Sequence, residues 1–259
     1  MSIETVNSLQ NAGVKNAVHL REKSRERSRQ QLFPVEGKRE IQMAVSGGYS
    51  IDTLYLCPDL GGNFDLPAAK TVQVGKKVFE KMAYRENPDG ALALIQMKDN
   101  GLQDVKLSDN PFIIVLESVE KPGNLGAVLR TADAAAVDAV IVCDPACDIF
   151  NPNVIRSSLG CVFVTGVAVC SSDEALQWLK NNNIRIFAAE LEASKWHSDM
   201  DYTAPSAIVM GKESTGLSRL WIDNAHERVK IPMKGKIDSL NVSVSTAIIT
   251  FEALRQRYL

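Results

Sequence analysis

The chain has 259 residues, of which 45% are hydrophobic and 23% are charged, and its formal net charge is −2. These values are typical of a soluble globular protein with one large or two ordinary domains, and they give no overall attraction to nucleic acid. The first residues lack a basic region followed by an apolar run, and no apolar stretch reaches the roughly 18–20 residues of a membrane span. We therefore expect a cytoplasmic protein with neither a signal peptide nor membrane contact.

The first hundred residues predict a small α/β unit. Its elements are a basic helix over about residues 14–31, a strand at 32–37, a helix at 39–45, strands at 53–57 and 71–74, a short helix at 76–84 and a strand at 91–97. A polar segment with Gly, Asp, Asn and Pro follows at 98–111, and we interpret it as a linker. We accordingly predict two domains, residues 1–105 and residues 106–259.

The basic helix is a candidate surface for binding RNA phosphates. Between residues 15 and 39 there are eight Lys or Arg and three Glu. Arg21, Arg25 and Arg29 recur every four residues, so a continuous helix would align them in one stripe. The alternative is a solvated surface helix with ion pairs such as Glu22–Arg25 and Glu26–Arg29. The sequence leaves both interpretations open.

After the linker the chain alternates between strands and helices. Strands are predicted at 112–117, 139–143, 162–169, 185–189, 207–210 and 228–231, and helices at 125–136, 152–159, 173–181, 216–224 and 242–257. The strands are continuously apolar, which predicts a parallel sheet covered on both faces. The first half of the last helix is apolar on nearly every side, which indicates burial or a subunit interface. We expect a homodimer.

The cysteines do not have the spacing of a metal site. They are Cys57, Cys143, Cys147, Cys161 and Cys170. There is no CxxC, and neither a second cysteine pair nor a histidine accompanies Cys143 and Cys147. We predict buried free thiols and no metal.

Three polar, Gly-bearing turns each follow an apolar strand. The first leads through Asn124 into a helix, and Arg130 lies about two turns along that helix among apolar residues, where it needs an anion or a partner chain. Asn124 could instead be a plain helix N-cap. The carboxyl ends of parallel strands are where open α/β sheets bind ligands. Three such turns therefore indicate one composite site.

The second and third turns have similar alternatives. Gly211 and Gly216 permit positive φ and close approach of a ligand to the backbone, while Ser214 or Thr215 could merely cap the next helix. The second turn is neither GxGxxG nor a P-loop, so it does not favour a dinucleotide or triphosphate. The third turn ends at residues 239–241, and Asn241 could be an N-cap of the last helix.

Taken together, the three segments resemble the motifs of the SpoU (TrmH-type) RNA ribose 2′-O-methyltransferases of the SPOUT superfamily. The motif residues are 124–132, 211–217 and 231–243, and the Arg156-Ser-Ser-Leu-Gly160 stretch is similar to a further family element. Residues 33–37 and 87–90 resemble the family's small α/β, ribosomal-protein-like substrate-binding domain. The implied architecture is an α/β trefoil-knot domain with a parallel sheet, preceded by that domain; such knots are exceptions to ordinary topology.

The resemblance also implies the site. The cofactor would be S-adenosyl-L-methionine, contacted by Gly211, Ile231, Met233 and Leu240. Arg130 would be the essential catalytic residue, and Asn124, Glu213, Ser239 and Asn241 would orient it, the ribose and the loops. Arginine is not deprotonated in proteins, so we expect Arg130 to hold the ribose hydroxyl and an RNA phosphate. Arg156 joins Arg21, Arg25 and Arg29 as an expected RNA contact. Ribosomal RNA is favoured, and transfer RNA is possible.

Two other classes of protein fit the sequence less well. A non-catalytic RNA-binding protein would keep the basic helix but would have no use for Arg130, Glu213 and Asn241 together. A nucleotide-dependent oxidoreductase would need a Gly-rich first βα turn, which residues 120–126 do not provide.

Overall fold

The computed structural model describes residues 4–258, which divide into two compact units. The first contains the residues up to Asp99 together with Asp148–Val164, and the second contains Asn100–Cys147 together with the residues from Thr165 onward. The first unit therefore includes a segment from just beyond the middle of the chain.

The first unit is built on a five-stranded mixed sheet. Its elements before residue 99 are β1 (Glu4–Val6), α1 (Ala12–Glu22), α2 (Ser24–Gln30), β2 (Leu32–Glu36), α3 (Lys38–Ser46), β3 (Ile51–Leu56), β4 (Ala68–Val74), α4 (Lys76–Met82) and β5 (Ala91–Gln96). The strand order is β1-β4-β3-β5-β2, with β5 antiparallel to both its neighbours. The predicted α/β unit is confirmed, although β1 was missed.

The predicted basic helix is broken, so the single arginine stripe is wrong. Lys23 takes an extended conformation (φ −124°, ψ 111°) between α1 and α2. The buried Arg27 explains the break, because its Nη1 donates to the Leu20 carbonyl at the end of α1 (2.7 Å). Arg21 therefore belongs to α1, whereas Arg25 and Arg29 belong to α2.

The second unit is built on a seven-stranded sheet. Its elements are β6 (Phe112–Glu117), α5 (Pro122–Ala134), β7 (Ala139–Cys143), then, beyond the inserted α6 (Pro152–Ser157) of the first unit, β8 (Gly166–Cys170), α7 (Ser172–Asn181), β9 (Arg185–Ala189), β10 (Lys195–Trp196), β11 (Ser206–Met210), α8 (Arg219–Asn224), β12 (Glu227–Lys230) and α9 (Val242–Tyr258). The order is β10-β12-β9-β11-β6-β7-β8, and the recorded pairings are all parallel. Because β6, β7 and β11 are buried throughout, the predicted doubly covered parallel sheet is confirmed.

Residues 148–164 complete the core of the first unit. Phe150 stacks on Phe33 with ring centroids 4.2 Å apart, and Phe163 lies 5.9 Å from the same ring. Asp148 pairs with the buried Arg27 at 2.7 Å. The predicted strand at 162–169 is wrong in its first part, because residues 161–163 form a 3₁₀ turn that carries Phe163 into this cluster, and β8 begins only at Gly166.

Helix α9 has two apolar faces in different environments. Thr246, Ile249 and Ala253 are buried. Val244 and Phe251 are 46% and 47% exposed, on the opposite face. The helix is thus buried on one side only, and the second apolar face is open in the single chain.

Three further properties concern the described residues 4–258. No helix in this range is both long and apolar enough to cross a membrane. Of the five cysteines, Cys57, Cys143 and Cys161 are buried, whereas Cys147 and Cys170 are only partly so. No cluster of three or more His, Cys, Asp or Glu in the same range could hold a metal ion.

Phe150→Ala should destabilise the first unit, because it removes the ring that stacks on Phe33. The loss should be about 3–5 kcal/mol, as for other buried Phe→Ala changes. Hydrogen exchange of β2 peptides in rising urea would measure it. Leu9→Ala, which changes an exposed apolar residue of the same unit, is the control and should have little effect. Unchanged protection of β2 in Phe150→Ala would contradict the assignment of residues 148–164 to this core.

Candidate functional site

A cavity of about 550 Å³ lies at the carboxyl edge of the seven-stranded sheet. Its walls are the segments that follow β9, β11 and β12, three adjacent strands, and the first two turns of α9. Ligands of parallel α/β sheets bind at this edge, because the loops there converge. The cavity therefore lies where the polar turns predict a ligand-binding site.

The loop after β11 folds tightly back on itself. The Gly216 amide donates to the Lys212 carbonyl (2.9 Å), and Gly216 takes a positive φ of 69°. A Cβ on residue 211 would lie 2.5 Å from the Leu217 nitrogen. Gly211 is thus required by the loop's own backbone, in addition to lining the cavity. The same turn delays α8 to Arg219, whereas the sequence predicted its start at residue 216.

The four residues predicted to contact a cofactor line this one cavity. They are Gly211, Ile231, Met233 and Leu240. Ser239 also lines the cavity, and its hydroxyl donates to Asp238 Oδ1 (3.2 Å). The structure therefore groups residues from two separate sequence motifs, while their roles toward a ligand stay predictions.

Asn124, Glu213 and Asn241 bring the three polar turns into contact. Asn124 Nδ2 donates to Glu213 Oε1, and Asn241 Nδ2 donates to Asn124 Oδ1 (3.2 Å). Asn124 is not the N-cap of α5, because that helix starts at Pro122 with Lys121 in the cap position. Asn241, by contrast, does cap α9, since its Oδ1 accepts from the Ser243 amide (3.0 Å).

Arg130 stands apart from this cluster. It is exposed on α5, roughly 9 Å along the helix axis from Asn124 at 1.5 Å per residue. Among residues 4–258 its guanidinium has neither a hydrogen bond nor an ion pair, and it is absent from the cavity lining. The anion or partner chain that the sequence predicts for Arg130 therefore stays a prediction, and its cationic group is available to a ligand.

Two glutamates at strand ends are part of the site but were not predicted from the sequence. The buried Glu117 ends β6, and its Oε2 accepts from the Ser218 amide (2.8 Å), which fixes the start of α8 beside the loop of Glu213. Glu190 follows β9 and lines the cavity, with Arg228 Nη1 at 3.2 Å from its Oε1. The sequence feature that could have identified them is a carboxylate at the end of an apolar strand, because ligands bind at that edge of the sheet.

The residues predicted to bind RNA have separate surroundings in the first unit. Arg21 Nη1 donates to the carbonyls of Lys81, Met82 and Ala83, so this side chain caps α4. Arg29 pairs with Glu26 at 2.6 Å, as the surface-helix alternative predicted, and this bond holds the pKa of Glu26 below its usual value.

The remaining two predicted RNA contacts are exposed. Arg25 and Arg156 both lie on the surface, and Arg156 lies over the Tyr84 ring. The predicted Glu22–Arg25 pair is wrong, because Glu22 pairs with Arg21 (2.8 Å).

Comparisons with known proteins agree with this architecture. The sequence model of the SpoU rRNA Methylase family matches residues 111–251, and that of the MRM3-like substrate binding domain matches residues 11–93. The 23S rRNA (guanosine-2′-O-)-methyltransferase RlmB of Vibrio parahaemolyticus is 35% identical over 191 residues, which cover 71% of this chain and 77% of the relative.

Two solved structures are similar over nearly the whole chain. One, a crystal structure of an RNA 2′-O ribose methyltransferase, has a TM-score of 0.85 and 37% identity, covering 98% of this chain and all of that one. The other is an AdoMet-bound rRNA methyltransferase from Sinorhizobium meliloti, with a TM-score of 0.88, 27% identity and 98% coverage of both chains. The chain therefore belongs to the SpoU rRNA methylase family.

Proposed function

We propose that this protein transfers a methyl group from S-adenosylmethionine to a ribose 2′-hydroxyl of RNA, with ribosomal RNA favoured over transfer RNA. One observation carries the proposal. Gly211, Ile231, Met233 and Leu240 line one cavity, and the hydrogen-bonded Asn124, Glu213 and Asn241 lie at the same edge of the sheet. The relatives named as 23S rRNA methyltransferases support ribosomal RNA as the substrate class.

The cavity suits the cofactor in size and chemistry. Its volume of about 550 Å³ falls within the roughly 300–1,000 Å³ of small-molecule sites. Ile231, Met233 and Leu240 offer apolar surface for an adenine, and the Glu190 carboxylate offers acceptors for ribose hydroxyls. S-adenosylmethionine, when bound, supplies a methyl group activated by a sulfonium, whose positive charge disappears on transfer.

Arg130 is proposed to hold the RNA rather than to take its proton. A guanidinium group carries N–H donors and no acceptor, which suits it to hold oxygen atoms of the RNA. An exposed guanidinium without a partner in the described chain can bind the ribose hydroxyl and an adjacent phosphate with its planar fork of donors. Positioning of this kind supplies much of the rate in a two-reactant transfer, about 7–11 kcal/mol when alignment is good.

Asn124, Glu213 and Asn241 are proposed to act through one another. Their hydrogen bonds tie the start of α5 to the loop after β11 and the start of α9. This arrangement would hold the helix that carries Arg130 at a fixed position beside the cofactor loops. Ser239, exposed on the cavity rim, is proposed to orient the ribose.

We further propose that residues 1–105, joined in the first unit by residues 148–164, bind the RNA substrate, and that the rest of residues 106–259 carries methyl transfer. Arg21, Arg25, Arg29 and Arg156 are the proposed RNA contacts; Arg21 would act mainly by supporting its neighbours, because it already caps α4. The second unit is proposed to contain the trefoil knot of the superfamily. The enzyme is proposed to work in the cytoplasm. A homodimer formed through α9 is supported by the exposed apolar face at Val244 and Phe251.

Gly211→Val should abolish binding of S-adenosylmethionine, because its side chain forces the loop away from residues 216–217. Isothermal titration calorimetry would measure the affinity, and thermal unfolding would verify the fold. Gly235→Ala is the matched control, since a Cβ there meets nothing within 4 Å. Wild-type affinity in Gly211→Val would exclude this cavity as the cofactor site.

Arg130→Ala should leave cofactor affinity nearly unchanged and lower methyl transfer by about two orders of magnitude or more, because an interaction made chiefly in the transition state is lost. Arg130→Lys should rescue little, since an ammonium lacks the planar fork. The assay is labelled methyl transfer to ribosomal RNA from a strain lacking the protein, with the modified ribose mapped. Asp133→Ala, on the same helix, is the control. Near-normal turnover of Arg130→Lys would contradict the proposed fork.

Phe251→Asp should shift the protein from dimer to monomer, because a charge on the exposed apolar face of α9 would be desolvated in an interface. Light scattering coupled to size exclusion would report the mass. Leu9→Asp places the same charge on an exposed apolar residue outside α9 and should leave the mass unchanged. A wild-type protein that is monomeric at assay concentrations would refute the dimer.

A further inference from the structure

Tyr84 is an exposed aromatic residue with an arginine above it. It follows α4 in the first unit and is 42% exposed. The Arg156 guanidinium carbon lies 5.9 Å from the centre of its ring. In the range 4–258, neither the Tyr84 hydroxyl nor the Arg156 guanidinium has a hydrogen bond or ion pair. Both polar groups are therefore open to a ligand.

The backbone at Tyr84 is held by Glu36 and Arg21, and the neighbouring Arg85 side chain is held by Glu40. Glu36 Oε2 accepts from the amides of Tyr84 (2.5 Å) and Arg85 (3.1 Å). The buried Glu40 pairs with Arg85 Nη2 at 2.5 Å. Arg21 Nη1 donates to the Ala83 carbonyl (2.6 Å). Because these bonds hold the backbone that carries the ring, binding a ligand there orders little additional backbone.

Three guanidinium groups lie around the ring, since Arg21, Arg85 and Arg156 border one niche with Tyr84. Arg21 is paired with Glu22 and Arg85 with the buried Glu40, so Arg156 is the guanidinium of this group without a carboxylate partner in the described part of the chain. An exposed aromatic face flanked by guanidinium groups matches what proteins use for single-stranded RNA, where unstacked bases lie on rings and phosphates on arginines.

The niche also limits where a base could lie. Its volume is only about 20 Å³, enough for one water-sized group and far too small for a nucleobase. A guanidinium at 5.9 Å is at the outer limit of cation–π contact, so Arg156 covers the ring loosely. A base would therefore stack on the exposed part of the ring and not enter the niche.

We propose that Tyr84 and Arg156 bind one unpaired nucleotide of the RNA substrate, with the base stacked on the tyrosine ring and a flanking phosphate on the guanidinium. This inference rests on the proposed function as an RNA methyltransferase and adds how the first unit recognises its substrate. Bases within a duplex hide their faces, so the site discriminates single strands from duplex RNA.

The test compares a 12-nucleotide single-stranded RNA containing 5-iodouridine with a duplex of the same sequence, using the full-length protein without methyl donor. Irradiation should crosslink the single strand to Tyr84. Tyr84→Ala should weaken single-strand binding about five- to a hundredfold, the range for removal of one stacked base. Tyr84→Phe should stay within about twofold, since the ring is kept.

Arg156→Ala should weaken single-strand binding and reduce its salt slope by about 0.7, as expected for one phosphate contact. Lys76→Ala is the matched control, because it removes an exposed cation of the same unit without an aromatic neighbour. It should affect single strand and duplex equally.

Unchanged single-strand affinity in Tyr84→Ala, equal wild-type affinity for both RNAs, or crosslinks confined to other residues would each overturn the site. Failure of the proposed function is distinguishable, because it would appear as absence of methyl transfer to ribosomal RNA by the wild-type protein. A wild-type protein that does not methylate ribosomal RNA could still crosslink to the single strand through Tyr84. A protein that methylates fully but fails the binding test would refute only the site at Tyr84 and Arg156.

Discussion

The amide of Asn124 holds the candidate site together. It donates to Glu213 and accepts from Asn241, residues 89 and 117 positions away in the chain. An amide can do both, whereas a carboxylate would lack the donor and a lysine the acceptor. The parallel sheet makes this meeting possible, because it brings the ends of its strands to one edge. The cavity, the capped α9 and the exposed arginine of α5 all depend on that shared edge.

The site is supported differently on its two sides. Toward the sheet, Glu117 ties the end of β6 to the start of α8, and Lys212 pairs with Glu120 at 2.6 Å, so two loops are fixed to each other. Away from the sheet, Arg130 and Ser239 are exposed. Loops tied to each other therefore lie on one side of the site, and exposed polar side chains lie on the other. This arrangement suits a small ligand bound in the cavity and a large ligand that approaches from solvent.

Much of this organisation could be predicted from the sequence. The buried strands were visible as continuous apolar runs, and the motif residues around the cavity were found because their spacing resembles a known family. The predictions that failed concern features set by contacts that the local sequence pattern does not show. Lys23 interrupts the basic helix because Arg27 turns back to the carbonyl of Leu20 and pairs with Asp148, 121 residues away, which no helical period reveals. The tight loop at Gly211 depends likewise on backbone contacts that composition does not encode.

The inserted segment 148–164 has a consequence for synthesis of the chain. Phe150 and Phe163 belong to the core around Phe33, yet they are made after β6, α5 and β7 of the other unit. Domains commonly fold one after another as they leave the ribosome. Here the first unit cannot close its aromatic core until at least residue 163 has emerged, by which time the second unit has already begun. The two units must therefore mature together during translation.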